Sequence, residues 1–336
     1  MLATKVLKRI GILLVLVLFI VNFALFNYGR QLLEPVDYNL TQEDKLVEIK
    51  PNTSINGIGE MLYQKGLIRS PFSFRTYLRV KDLARRVQAG HYKLNSGMST
   101  PEIIDKLVRG KTANYTITVS EGARVEQVAD LLARKGFDSD KFLELARTKD
   151  LEFLPERDDI KYNLEGFLFP NTYQIPYGSS ERDVIRIMLN EFNKQVSPLE
   201  EQIEASDYDL HEIVTIASLI EGERKVAIEE PLIASVIYNR LERGMRLQLD
   251  ATVQYSLPEH KSRLLYRDLE VDSPYNTYKI SALPPGPINN PSLSAINSAL
   301  NPAETEYLYY VATTGGYHEF TKTYQEHLEV QQRSNN

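Results

Sequence analysis

A carboxylate placed at the end of an otherwise apolar helical run is the arrangement in this 336-residue sequence with the plainest chemical use. Tyr208 to about Glu223 reads as a helix in which Ile213, Val214, Ile216, Ala217, Leu219 and Ile220 nearly surround Glu221. A carboxyl held against apolar surface has a raised pKa, so it can carry a proton near neutral pH and donate it to a glycosidic oxygen. That is what a general acid needs. A surface residue at a helix end satisfies the same periodicity, and shifted groups can be purely structural. The neighbouring Glu223 and Arg224 continue into the charged run Glu221-Gly222-Glu223-Arg224-Lys225 and are expected to be solvated.

A second helix, Glu230 to Arg243, carries Asn239 and Arg240 beside an apolar face and stops at Gly244. Beyond it, Met245 to Asp250 alternates, which puts Gln248 and Asp250 on one side of a strand or extended loop. Two such groups could bind sugar hydroxyls or form a salt-bridged surface edge. Three further clusters mix aromatic faces with hydrogen-bonding groups: 164–173 with Glu165, 273–278 with Tyr275, Asn276 and Tyr278, and 315–320 with His318. Their composition suits carbohydrate and equally suits packed loops. With 20 Tyr and no Trp, any sugar stacking must use Tyr or Phe. The proline-rich run Leu283 to Pro291 reads as a rigid loop, either a groove wall or mere connection. No GxSxG, P-loop or HExxH is present, and His318 and His327 match no zinc spacing, so no cofactor and no metal are expected.

These groups need elements to hold them. Val47-Glu48-Ile49, a capped turn and Ile55 to Gly66 read as strand, turn and amphipathic helix. The order recurs at Ile117-Thr118-Val119, Ser120-Glu121-Gly122 and Val125 to Gly136. Ile49, Ile55, Ile58, Leu62, Lys65 and Gly66 align without gaps on Val119, Val125, Val128, Leu132, Lys135 and Gly136, the mark of a repeated supersecondary unit. Between the copies lie a helix from Phe72 to Leu83, a strand over 89–94 and a helix from Thr100 to Arg109 capped by Ser99 or Thr100. Residues 45–112 thus form a small α+β module, either spacer or wall-binding, and about 113–330 a larger domain.

Ile10 to Phe26 is a run of seventeen uncharged residues preceded by Lys5, Lys8 and Arg9. It is just long enough to span a ~30 Å hydrocarbon core, and the basic flank predicts a cytoplasmic N-terminus with the rest outside. Asn27 to Arg30 lacks a small-x-small cleavage site, which favours an uncleaved anchor over a signal peptide. The segments are therefore 1–9 cytoplasmic tail, 10–28 transmembrane anchor, 29–44 linker and 331–336 tail. Zero cysteines exclude disulfides and thiolate chemistry, and a net charge of −6 with pI near 5.6 argues against nucleic acid as a partner.

The order of LEGFLFPNTY (164–173), IASLIEGERK (216–225), VIYNRLERGMRLQLDATVQY (236–255), SPYNTYKISALPPGPINNP (273–291) and YLYYVATTGGYHEF (307–320) resembles the endolytic murein transglycosylases of the MltG/YceG-like family. The resemblance covers roughly 45–330. It implies an α+β fold with an N-terminal transmembrane helix, a small LysM-like subdomain at 45–112 and a larger catalytic domain at 113–330, within which 115–137 could be a second LysM-like element. It also implies a lyase acting on peptidoglycan glycan strands outside the cytoplasmic membrane, in wall assembly and strand termination beside peptidoglycan synthases. By that likeness the first glutamate of an Ile-Glu-x-Glu motif, Glu221, is the catalytic acid and then base that leaves 1,6-anhydro-MurNAc ends. Gly222 stands where the pattern usually has Lys and Asn171 where Asp is frequent, and Gly222 is expected to end or bend the helix. Gln248, Asn239, Arg240, Asp250, Tyr275, Asn276 and Tyr278 are expected to orient sugars or support the site, with Glu165 and His318 as further candidates. Asn239 and Arg240 could instead lock the catalytic helix to its neighbours. Hydrolysis by a second carboxylate, Asp250 or Glu165, and a non-catalytic peptidoglycan-binding scaffold are the alternatives.

Overall fold

A computed structural model describes residues 2–38, 43–148, 159–313 and 315–334. Part of the expected linker (39–42), the end of the expected tail (335–336) and Thr314 of the last motif lie outside the described residues. The chain divides into two units, residues 1–115 with 176–178, and residues 116–175 with 179–336.

The first unit opens with α1 (Leu2–Gln31), which contains the expected anchor. Its stretch Gly11–Gln31 is 21 residues, about 32 Å at the helical rise, and so long enough to cross a bilayer core. Among the described residues it is the one helix long and apolar enough to do so. The small module follows with β1 (Lys45–Ile49), α2 (Ile55–Gln64), α3 (Pro71–Val80), β2 (Gly90–Leu94) and α4 (Thr100–Arg109). Strands β1 and β2 pair antiparallel with Val47 opposite Tyr92, and alternation turns Val47, Ile49, Tyr92 and Leu94 inward onto Ile58, Leu62, Phe74 and Leu107. A reciprocal Ser99–Glu102 capping box starts α4, and Gly110 at φ 63° ends it. The segment after the anchor was expected to be an unstructured linker, yet it is tied to this module. The amide of Thr100 donates to the Leu33 carbonyl (2.9 Å), Arg69 Nε to that of Pro35 (2.8 Å), and the Asp37 amide to that of Ser96 (3.0 Å).

From β3 onward the elements are β3 (Asn114–Thr118), α5 (Val125–Ala133), α6 (Ser139–Ala146), β4 (Thr172–Pro176), α7 (Glu181–Val196), α8 (Glu200–Glu204) and α9 (Leu210–Glu223). Then come α10 (Glu230–Glu242), α11 (Asp250–Ser256), α12 (Leu293–Leu300), β5 (Tyr309–Ala312), β6 (His318–Thr321) and α13 (Tyr324–Ser334). Among the described residues the strands pair in twos, β1 with β2, β3 with β4 and β5 with β6, and the mixture fits the expected α+β class. Residues 331–334, read from sequence as tail, are the last turn of α13.

Helix α9 is the axis of the second unit. Every residue from Ile213 to Ile220 is buried, so the helix is apolar nearly all round and has neighbours, α10, α11 and α12, on several sides. An Asp209–Glu212 capping box fixes its start. The repeated strand-turn-helix pattern is visible at both places. Ile49 and Val119, Ile58 and Val128, and Leu62 and Leu132 are all buried, while Gly66 and Gly136 close their helices at φ 68° and 89°.

Candidate active site

Helix α9 ends in two carboxylates that point to different surroundings, because residues two apart on a helix lie about 200° apart around its axis. Glu221 turns toward a polar knot. Its Oε1 accepts from Arg224 Nε at 2.8 Å and its Oε2 from the Ser292 amide at 3.0 Å. The same guanidinium donates to Glu121 Oε2 (2.6 Å) and to Glu230 Oε1 (2.9 Å), and Glu230 is wholly buried. The apolar enclosure expected around the Glu221 carboxyl is therefore not what its oxygens meet. The expected solvated role of Arg224 is also overturned, since it joins three carboxylates at the end of the helix.

Glu223 turns the other way and lines a cavity of about 380 Å³ together with Arg240, Gln248, Asp250, Tyr278 and Tyr310. Its Oε2 accepts from the Tyr310 hydroxyl at 3.1 Å and its Oε1 from the Ala251 amide, in the first turn of α11, at 3.4 Å. Burial pushes this carboxyl up from its ordinary range, the nearby Asp250 charge adds to the rise, and the Tyr310 and Ala251 hydrogen bonds oppose it. Expected to be solvated, Glu223 instead lines the cavity with a carboxyl whose titration burial raises. The physical reason is that α9 does not stop at Gly222. The helix runs one residue further, and a Cβ at Gly222 would lie 2.9 Å from the Cβ of Ala251, so the glycine lets α11 press against the helix end.

Four of the expected sugar-orienting residues, Arg240, Gln248, Asp250 and Tyr278, join Glu223 on the cavity wall. Leu247 and Leu249 are buried while Gln248 and Asp250 face out, as the alternation predicts, although the segment is loop up to the start of α11. Gln248 is one of three described non-glycine residues at positive φ (52°), and its amide donates to the Thr277 carbonyl at 3.1 Å. Tyr278 donates its hydroxyl to Asp250 Oδ1 at 2.7 Å. Arg240 also touches the cavity, but its donors are spent on backbone: Nε on the Leu308 carbonyl (2.6 Å), Nη1 on those of Leu247 (2.6 Å) and Arg246 (3.3 Å). It locks α10 to β5 and to the Gln248 loop.

The remaining candidates sit elsewhere. Asn239 donates to the carbonyls of Thr305 and Tyr307, both at 2.9 Å, and ties α10 to the segment leading into β5. Tyr275 is buried against Tyr255, and Asn276 is fully buried, donating to the carbonyls of Leu269 and Val271 at 2.8 Å each. Glu165 is also fully buried, so it is closed to substrate and cannot be the second carboxylate. It accepts from the Val125 amide (3.0 Å) and the Tyr255 hydroxyl (3.1 Å), and burial pushes its pKa up to about 8. His318 stands behind the cavity wall, paired through Nδ1 with Glu229 Oε2 at 2.8 Å and packed edge-on against the Tyr310 ring. The proline-rich loop clamps the helix: Ser218 Oγ accepts from the Ile288 amide (3.0 Å), and Asn289 donates to the Ser218 carbonyl (2.9 Å).

Sequence reasoning missed Tyr309, Tyr310, Tyr324, His327 and Gln331, which complete the cavity. Tyr324, His327 and Gln331 are spaced i, i+3, i+7, one face of α13, and that spacing was available in the sequence.

A model of the YceG-like family matches residues 47–333. The chain belongs to the YceG-like family. A relative from Bacillus subtilis (strain 168), an endolytic murein transglycosylase, is 38% identical over 326 residues, covering 92% of this chain and 89% of the relative. One of the same name from Streptococcus pneumoniae serotype 2 (strain D39 / NCTC 7466) is 32% identical over 317 residues, 85% of this chain and 57% of that protein. A crystal structure of a yceG-like protein from Listeria monocytogenes superposes with a TM-score of 0.60 at 35% identity, over 86% of this chain and all of that one. Within this YceG-like chain the matched region takes in both units after the anchor.

Proposed function

We propose that the chain is a single-pass, membrane-anchored endolytic murein transglycosylase, a lyase that cuts the MurNAc-GlcNAc bond of nascent peptidoglycan strands and leaves 1,6-anhydro-MurNAc ends. The observation that carries the chemical part is the Glu223 carboxyl, its titration raised by burial, on the wall of a cavity that also presents Gln248, Asp250 and Tyr278. The relatives' names support the reaction class. Of the two motif glutamates, Glu223 is the one given the acid and base roles here, and Glu221 the one that anchors Arg224 and the Ser292 amide.

In this reading the protonated Glu223 gives its proton to the oxygen leaving with N-acetylglucosamine. The muramoyl C6 hydroxyl attacks C1, its proton passes to the Glu223 carboxylate, and the acid is regenerated with no water consumed. Raised proton affinity serves the first step, and the Tyr310 and Ala251 donors hold the carboxylate for the second. Gln248 and the Tyr278–Asp250 pair orient sugar hydroxyls. Because Asp250 shares the cavity, hydrolysis by a carboxylate pair is the second reading.

In this reading the N-terminus is cytoplasmic and the catalytic unit outside, beside the synthases that extrude the strands, and the basic flank Lys5, Lys8 and Arg9 supports that orientation. The strand-helix units at 45–112 and 115–137 are the LysM-like elements of this reading. The test uses the full chain in detergent with purified peptidoglycan, comparing wild type, Glu223→Gln and Glu221→Gln by mass spectrometry of the new ends. Anhydro ends lost only with Glu223→Gln are the expected result. Loss only with Glu221→Gln would return the acid role to that residue. Reducing ends would mean hydrolysis, and binding without cutting by all three proteins would make the chain a scaffold.

A further inference from the structure

Beside the Glu223 cavity lies a second cleft of about 510 Å³ that shares two of its walls, Gln248 and Tyr278. Its other lining is unlike the first: Arg246, Arg267 and Lys279 bring three cations against the single carboxylate of Glu270. Lys279 leans on Glu270, donating to its carbonyl at 2.6 Å with the carboxylate at 3.7 Å. Among the described residues Arg246 and Arg267 pair with no carboxylate, and Arg246 donates only to the Tyr278 carbonyl (3.0 Å). In a chain of net charge −6, three cations set against one carboxylate in a cleft beside the reaction cavity are a local reversal of sign.

Tyr266, on the same cleft, is 92% exposed, the most exposed large hydrophobic side chain among the described residues. The turn that carries it is held firmly. Asp268 accepts from the Leu265 amide (2.9 Å) and from Lys261 Nζ (2.6 Å), and the buried Asn276 donates to the Leu269 and Val271 carbonyls. A ring presented to water on a pinned turn contributes nothing to the core, and its open face is suited to stacking on a sugar.

We propose that this cleft is an accessory subsite for carboxylate-bearing glycan, in which Tyr266 stacks on a sugar ring and Arg267 and Arg246 bind a carboxylate of a strand whose cut bond lies at Glu223. The inference rests on the Glu223 reading for the register of the strand. The shared Gln248 and Tyr278 walls make one strand able to contact both cavities. A carboxylate could come from the peptide stem or, where the stem has been removed, from the lactyl group of the muramoyl sugar.

The experiment measures binding by the full chain in detergent, at low and high salt, of three probes: peptide-bearing strands, amidase-stripped strands and uncharged chitooligosaccharides. Glu223→Gln is used for binding so that no probe is cut. The expected result is tighter binding of a carboxylate-bearing probe than of the chitooligosaccharide by about fivefold, falling with salt. Arg267→Glu should bring that ratio to one or below, and Tyr266→Ala should weaken all three probes together. Preference for the peptide-bearing probe identifies the stem as the source, and preference for the stripped strand identifies the lactyl group. Equal affinity for all three probes, or a ratio unmoved by Arg267→Glu, overturns the subsite. Because binding is read apart from cutting, a wild-type chain that discriminates but never cleaves would overturn the catalytic reading and leave this one standing.

Discussion

Glu165→Gln should make the folded state more stable at alkaline pH while leaving it nearly unchanged in mild acid. Glu165 is 0% exposed, with the Val125 amide and the Tyr255 hydroxyl as its partners. Burial dominates its titration and lifts it from 4.5 to about 8. In the open chain the carboxyl loses its proton near 4.5, whereas in the fold it keeps it until about 8. Between those values the folded state binds one more proton than the unfolded state, so stability falls as pH rises, by ~1.4 kcal/mol per pH unit at the steepest. The full loss, reached once both states are ionised, is on the order of 5 kcal/mol. Glutamine mimics the protonated form: its carbonyl can accept from Val125 and its amide can donate to Tyr255. The assay is urea unfolding of the full chain in detergent, followed by far-UV circular dichroism because the chain has no Trp. Near pH 5 the two proteins should agree within about 1 kcal/mol, and the variant should gain steadily as pH approaches about 8. Parallel curves for wild type and variant across that window would refute the reasoning.

Glu223→Gln should lower the cleavage rate by about 10²–10⁴-fold, read from anhydro-end formation under single-turnover conditions. Since burial raises the Glu223 carboxyl and its protonated form starts the reaction, the wild-type rate should fall on the alkaline side of that raised pKa, and a pH–rate profile with no alkaline limb would contradict the assignment. Gly166 holds φ 88°, and an added Cβ would sit 2.6 Å from Pro287, so Gly166→Ala should destabilise the second unit by about 3 kcal/mol in urea titrations. Asn276→Ala strands the Leu269 and Val271 carbonyls and should cost about 2–4 kcal/mol while raising amide exchange over 265–271.

Much of the frame was legible because periodicity reports burial directly. The helix over 100–109 and a cap at Ser99 or Thr100, which the structure resolves to Ser99, follow from residue types alone, and so does the recurrence that aligns Gly66 with Gly136. The polar-aromatic clusters were less informative. Tyr278 reaches the cavity, but Tyr275, Asn276 and Glu165 are sealed inside, because a buried loop needs the same mix of rings and hydrogen-bonding groups as a binding site. The attachment of the expected linker to the small module was not legible for a different reason. The Leu33 and Pro35 carbonyls and the Asp37 amide meet Thr100, Arg69 and Ser96, and a backbone partner leaves no trace in composition.

The choice between Glu221 and Glu223 shows where periodicity stops being enough. An amphipathic helix has one polar face, so a carboxylate's direction can be read from its neighbours. Helix α9 is buried on all sides, and its last turn emerges between two polar environments that the periodicity does not rank. What separates them comes from residues outside the helix. Glu121, Glu230 and Ser292 gather on Arg224 and Glu221, while Tyr310 and Ala251 meet Glu223. Gly222, between the two glutamates, decides how close α11 comes, with only 2.9 Å available to a Cβ before it meets that of Ala251. Gly222→Ala should therefore push α11 and the Ala251 amide off Glu223. The overlap costs about 1–3 kcal/mol, against a helix-propensity gain of up to ~1 kcal/mol. Stability should fall by up to about 3 kcal/mol and cleavage should drop, with the alkaline limb of the pH–rate profile displaced because Glu223 has lost a donor. A variant that cleaves with the wild-type profile would show that the contact between α11 and the end of α9 does not set the state of Glu223.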